Sequence, residues 1–200
     1  MILLNPKVFN HMDQFKYRFI DGKYITLRRP TEEDALGFWY NWFNDPEVAL
    51  YTGWWKPNTP GNQLDFLRSL EASDTAIVLI IEDKLSETPI GVVSLSKINW
   101  IQGIADIALV IGEKSARKKA NLGFEALVLM IRHAFLNLNL KNIRGGFASG
   151  QEASHWMLKA LHFQEVGKFE NIFSINGVTH DHILVQLSIK EWKKRNHNEN

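Results

Sequence analysis

The chain contains no cysteine. That excludes disulfides, cysteine nucleophiles and thiolate metal sites, and it fits a cytoplasmic protein built without covalent staples. Long hydrophobic runs are missing too. The longest uninterrupted apolar stretches, such as Ala76 to Ile81, are about six residues, against roughly 20 for a helix that spans a bilayer. The opening Met1-Ile2-Leu3-Leu4 meets Asn5-Pro6 too soon to be the apolar core of a signal peptide. Nor is there an excess of one charge. Lys and Arg number 23, Asp and Glu 22, for a formal net charge of +1, which gives no reason to expect a nucleic-acid partner. These absences point to a soluble protein of the cell interior with neither membrane nor nucleic acid as partner.

What is present is enough apolar residue for a full core: 45% of 200 residues, in keeping with one domain. Residues 1–21 carry weak signals and read as an extension, 22–192 as the domain, and 193–200 as a polar tail. Lys23 to Arg29 alternates as a first strand. Thr31 is an N-cap with Asp34 at the capping-box position, opening a helix to about Phe43 with Leu36, Trp39 and Phe43 on one stripe. Asn44-Asp45-Pro46 stops it. A second helix is expected over 61–72, and strands over 75–82, 89–99 and 102–111. The stretch 120–137 is apolar almost all round and reads as a helix buried against a sheet. A strand at 142–148, a helix from Ala153 to Leu161, and a hairpin of 163–173 and 178–189 around Asn176-Gly177 complete the order.

Between the strand ending at Ile111 and the helix after Ala120 lies a basic loop. Arg117, Lys118 and Lys119 sit at a helix start, where the macrodipole disfavours cations. A bound pyrophosphate would reverse that penalty; the plain alternative is a solvated charged loop.

Several segments, taken in order, resemble the GNAT superfamily of acyl-CoA-dependent N-acetyltransferases, and within it the ribosomal-protein N-acetyltransferase branch, which also holds enzymes acting on amino sugars. They are LRRPTEEDALGFWYNWFNDPEV (27–48), IGVVSLSKINWIQGIADIALVIG (90–112), NLGFEAL (121–127), ASGQEASHWMLKALHFQEVG (148–167) and KEW (190–192). The resemblance spans residues 22–192. It implies a mixed α/β (α+β) fold, with a mostly antiparallel central sheet of about six to seven strands and about four helices. It also implies acetyl-CoA as co-substrate, no metal, and a monomer or homodimer.

The family's cofactor loop, Arg/Gln-x-x-Gly-x-Gly/Ala, falls here on Lys118-Lys119-Ala120-Asn121-Leu122-Gly123. Asn121 stands where the first glycine belongs, a position expected to need positive φ, for which Asn is the next choice after Gly. By the same resemblance, 102–111 and 142–148 are a splayed strand pair. Backbone groups of Leu109, Val110 and Ile111 would hold the pantetheine arm, while Arg117 to Gly123 would hold the pyrophosphate. Gln151 replaces the Asn of Asn-x-x-Ser, and Ser154 is its serine, a candidate acid for the departing thiolate. Asp106 is placed as a candidate base for the amine. The plain alternatives are a structural or solvent-facing Asp106 and a first-turn helix serine. The tyrosines are Tyr17, Tyr24, Tyr40 and Tyr51, so the C-terminal tyrosine many relatives use as acid is absent. The implied acceptor is a protein N-terminal amine or small amine; an amino sugar, or an impaired binding module with a degenerate loop, are the alternatives.

His180 and His182 share a strand face, but no third ligand accompanies them. They read as surface or acceptor-groove residues, and His155 as a helix-surface residue. Trp39 reads as core. Trp54 and Trp55 read as a loop bordering the acceptor site or as a dimer anchor.

Overall fold

A computed structural model describes residues 18–54 and 56–196. Eight strands form one sheet in the order β1-β2-β3-β4-β5-β6-β8-β7. They are β1 (Arg18–Asp21), β2 (Ile25–Arg28), β3 (Ile77–Asp83), β4 (Thr88–Asn99), β5 (Ile104–Ile111), β6 (Asn142–Ala148), β7 (Gln164–Ile175) and β8 (Val178–Ser188). Every neighbouring pair is antiparallel except β5 and β6, which are parallel. The mixed α/β fold with a mostly antiparallel sheet is as expected, with one strand more than the upper expectation. The addition is β1, in a segment read as extension, which pairs Ile20 with Leu27 and Asp21 with Thr26. Expectations for residues 1–17 and 197–200 lie outside the described residues.

Among the described residues seven helical segments flank the sheet, where about four were expected. The first, α1, begins as Glu32–Asp34, widens into a π-helical turn over Ala35–Trp39, and closes as Tyr40–Trp42. The Thr31–Asp34 capping box is formed as read. Ala35, Trp39 and Trp42 face the core, while Leu36, expected on the buried stripe, is exposed. Next come α2 (Pro46–Thr52) and α3 (Pro60–Glu71), then α4 (Lys114–Arg117) and α5 (Ala120–Leu136), and finally α6 (Glu152–Ala160) and α7 (Ile189–Asn196). The Asn-Asp-Pro stop is also a start: Asp45 caps α2 through a bond from the Glu47 N–H, with Pro46 in the first turn, where a missing N–H costs nothing. The C-terminal α7, read as strand end and tail, packs Trp192 against Phe135 at 5.5 Å between ring centroids.

The main core lies between one sheet face and α5, which buries Leu122, Ala126, Leu127, Met130, Ile131, Ala134 and Phe135. Val128 and Leu136 stay exposed, so the helix buries one broad stripe and not its whole surface. A second cluster covers the other face, with Trp39 and Trp42 of α1 and Leu67 of α3 on Ile80 and Val92. Arg28 is buried beside it. It donates to Asp34 at 2.7 and 2.8 Å and to Glu82 at 2.8 Å, tying the start of α1 to β2 and β3. The β7–β8 hairpin turns at Asn176 and Gly177, with φ of 52° and 78°, both left-handed as a type I′ turn requires.

Candidate active site

β5 and β6 pair at Ile104 with Asn142, Ala105 with Ile143 and Asp106 with Arg144, and no further. Yet β5 stays paired to β4 as far as Ile111, and β6 to β8 as far as Ala148. The two strands therefore part beyond Asp106 and leave a wedge in mid-sheet. The Ile107 carbonyl faces Gly145 on β6, whereas the Val110 carbonyl faces Gly91 on β4. Backbone groups alternate sides along a strand, so the Leu109 N–H and C=O point into the wedge with no strand opposite. Such groups require a partner. The three backbone positions singled out in sequence thus differ. Leu109 faces the wedge, Val110 faces β4, and the Ile111 carbonyl accepts from Arg117 Nε at 3.1 Å.

Side chains alternate as well. Ala105 and Ile107 enter the main core, with Leu109 and Ile111 packed against it, while Val110 packs on the second cluster. Gly123 on α5 fits the approach of that helix to β5: a Cβ there would lie 3.2 Å from Leu109 Cδ2.

The cations of the loop part company. Arg117 is committed to the protein. Beyond Ile111 it donates to the Gly112 carbonyl at 2.7 Å and to Asp45 at 2.6 Å, and it pairs with Glu47. The guanidinium holds the Asp45 carboxyl below the ordinary carboxylate range. Lys119 lies 3.4 Å from buried Asp83. Lys118 is exposed and has no charged partner among the described residues. α5 begins after Lys119, whose side chain makes no capping bond, so the first-turn N–H groups of Ala120 and Asn121 are available to an anion. Asn121 is an ordinary helical residue, absent from the positive-φ positions. The expected need for positive φ does not arise, because the helix starts one residue before it. Leu122 is core.

Asp106 faces the side opposite α5. Arg144 donates to its Oδ1 at 2.9 Å through Nε and lies 2.7 Å away through a terminal nitrogen, while Lys97 lies 3.1 Å from Oδ2. Lys97 reaches it from a bulge in β4 at φ 48°. Neither cation was legible as a partner in sequence. Ser154 stands half-buried in the first turn of α6. The Gln151 side-chain carbonyl accepts from the Ala148 N–H at 3.1 Å and closes the β6–α6 turn.

His155 stacks on Phe147 at 5.4 Å between ring centroids. His182 lies against Phe173 at 5.1 Å, and burial lowers its pKa from the ordinary histidine value. Trp54 is exposed and tilts on Phe43 at 5.9 Å; Trp55 lies outside the described residues. Among the described residues no cluster of three or more His, Cys, Asp or Glu is arranged to hold a metal ion, and no helix is long and apolar enough to cross a membrane.

Residues 25–164 match the acetyltransferase (GNAT) domain family. No curated protein matches the chain. Among solved structures, it is similar to spermidine N-acetyltransferase from Vibrio cholerae in complex with CoA and spermine. Identity there is 21% and the TM-score 0.73, over 86% of this chain and 99% of that one. Ribosomal-protein-S5-alanine acetyltransferase from Vibrio fischeri gives 23% and 0.71, over 86% and 97%. Mycobacterium smegmatis RimJ in complex with CoA-disulfide gives 17% and 0.71, over 84% and 83%. At these identities the likeness is one of fold. The match over residues 25–164, joined to a sheet that parts between its two parallel strands, makes this chain a member of the GNAT acetyltransferase family.

Proposed function

We propose that the protein transfers an acetyl group from acetyl-CoA to a primary amine, with both substrates bound together. The observation that carries this is the wedge between β5 and β6, where the Leu109 backbone has no strand to pair with. A pantetheine arm fits it, since its amides match the free N–H and C=O. The Leu109 N–H is then aimed at the thioester region, where a backbone donor stabilises negative charge developing on the carbonyl oxygen. Ala120 and Asn121 N–H groups and the Lys118 ammonium would hold the pyrophosphate. Gly123 lets α5 come close to β5, and Gln151 shapes the turn at the wedge's far end. Arg117 and Lys119 enter this reading as the groups that fix the loop.

In the reaction the amine nitrogen bonds to the carbonyl carbon, the carbon–sulfur bond breaks, the nitrogen gives up a proton and the sulfur gains one. Ser154, in the first turn of the helix that follows β6, is the candidate donor to sulfur. Asp106 lies on the opposite sheet face at the apex of the wedge. Both its oxygens are engaged by Arg144 and Lys97, so to accept a proton it must first displace a cation. With two cations on one carboxylate the site is net positive, so Asp106 meets an incoming amine only by exchanging one of these partners for it. The acceptor we favour is a protein N-terminal amine or a small amine. Similar structures include an enzyme named for spermidine and one named as a ribosomal-protein-S5-alanine acetyltransferase.

Calorimetric titration with acetyl-CoA, followed by transfer assays on spermidine and an alanyl-terminated peptide, tests the reading. Micromolar binding with transfer to either amine is expected. No binding up to millimolar acetyl-CoA would sink it.

A further inference from the structure

The face of the sheet opposite α5 carries one group that the reaction above leaves unused. On β6, Arg144, Gly146 and Ala148 point to this face, the alternates of core-facing Ile143 and Phe147. His182 on β8 is the register partner of Ala148. Its ring lies over the neighbouring strand: a Cβ placed on Gly146 would collide with His182 Nε2. Glycine at 146 is therefore what lets the imidazole lie across β6 toward β5. Continuing the β5–β6 register by two residues from Asp106 and Arg144 puts Gly146 opposite Ala108, where the strands have already parted. His182 Nε2 thus stands over Gly146, just past the point where the strands part and on the same face as Asp106, with the Gly146 and Asp106 Cα atoms roughly 8 Å apart by strand spacing and rise.

The ring's other contacts are apolar. Phe173 meets it edge-on at 5.1 Å and Phe169 lies at 6.4 Å. Neither ring nitrogen bonds to a described residue, so one is free to accept a proton. Along β5, β6 and β8 the charged and titratable groups of this face are Arg144, Asp106 with its partner Lys97 from β4, and His180; Arg28, Asp34 and Glu82 lie farther along the same face, over β2 and β3. The Asp181, Lys168 and Glu170 cluster belongs to the other face.

Resting on the acetyltransferase reading, we propose that His182 Nε2 is the base that takes the proton from the attacking amine. Asp106, ringed by two cations, is a poor proton acceptor. A neutral imidazole in an aromatic pocket takes the proton and then releases it to solvent. Burial keeps the ring neutral to a pH below that of an exposed histidine.

The experiment compares the parent with His182→Gln and Gly146→Ala, using acetyl-CoA and whichever of spermidine or the alanyl peptide is turned over. His182→Gln is expected to lower kcat about 100-fold, in the range for loss of a general base. It should also abolish the acid limb of the kcat pH profile and leave acetyl-CoA affinity unchanged by calorimetry. Gly146→Ala crowds both the ring and the Ile183 carbonyl, so it should lower kcat as well and is compared with the parent at matched folded fraction, read from its Tm. Nitrogen-15 NMR of the histidine rings supplies a readout independent of any acceptor, and His182 should be neutral at pH 7. A ring charged at pH 7, or a His182→Gln enzyme with the parent's rate and acid limb, overturns the proposal. Absence of acetyl-CoA binding in the parent overturns instead the reading on which it rests.

Discussion

Arg117 donates to Asp45 at 2.6 Å across a sequence separation of 72 residues. The same guanidinium holds the carbonyls of Ile111 and Gly112, and Asp45 also caps α2. One side chain thereby fixes the end of β5, the loop before α5 and the first turn of a helix from the N-terminal part of the chain. Arg117→Ala should accordingly act on the fold first. The expected loss is about 2–3 kcal/mol, because a partly buried, multiply bonded arginine leaves both Asp45 and two carbonyls without their donor. Thermal unfolding measures it, and a parent-like Tm would show the network to be superfluous. Arg117→Lys should recover little, since an ammonium cannot span this set of acceptors.

Lys118 gives the opposite expectation. It is exposed and has no charged partner in the described fold, so Lys118→Ala should leave Tm within a degree or so. Loss of one phosphate contact should weaken acetyl-CoA binding several-fold, with the deficit shrinking as salt rises. Calorimetry at two ionic strengths reads this out. Equal affinity for both proteins would remove Lys118 from the cofactor site.

Gly112 follows β5, and its N–H donates to the Ile90 carbonyl at 2.9 Å. A Cβ at this position would run into the indole of Trp42, itself 5% exposed. Gly112→Ala should destabilise the protein by about 1–3 kcal/mol, the range for overpacking a filled core. A smaller loss in urea unfolding would mean that Trp42 moves freely, contrary to its packing in the second cluster.

Acid should unfold the protein partly through Asp34. Burial pushes its carboxyl up, but the bonds from Arg28 and Thr31 outweigh burial, and its pKa lies below the usual value. A carboxylate stabilised in the folded state contributes fully above its unfolded pKa of about 4, and the contribution is lost as pH falls through the folded value. Asp34→Asn should cost about 3 kcal/mol at neutral pH, toward the low end for breaking a buried pair because Glu82 still meets Arg28. Its stability should then fall less steeply than the parent's below about pH 4. Denaturant midpoints across that range check the sign.

Much of the fold was legible because it is written in local chemistry. The Thr31–Asp34 capping box, the long apolar helix at Ala120–Leu136 and the Asn176-Gly177 turn each lie within a short window, and each formed as read. The helix α2 was overlooked for a physical reason: Asp45-Pro46 ends one helix and begins another with the same residues. β1 has so short a pattern that only its pairing with β2 makes it a strand. On α1 two stripes of ordinary helical spacing share Trp39, and only packing against β3 and β4 selected Ala35 and Trp42 over Leu36 and Phe43 as its most buried companions.

Sequence by itself determined that the chain is cysteine-free and carries the ordered GNAT-like segments with a basic strand-to-helix loop, since periodicity, caps and motif order depend on residues close together. Only the tertiary structure decided what that loop's cations do. Arg117 met Asp45 and Glu47, Lys119 met Asp83, and Lys118 alone stayed free of a charged partner among the described residues. It also put Lys97 and Arg144 on Asp106 and laid His182 across Gly146. Each of these depends on which strands lie side by side and where two of them part. That is a property of the whole sheet, which no local stretch of sequence encodes.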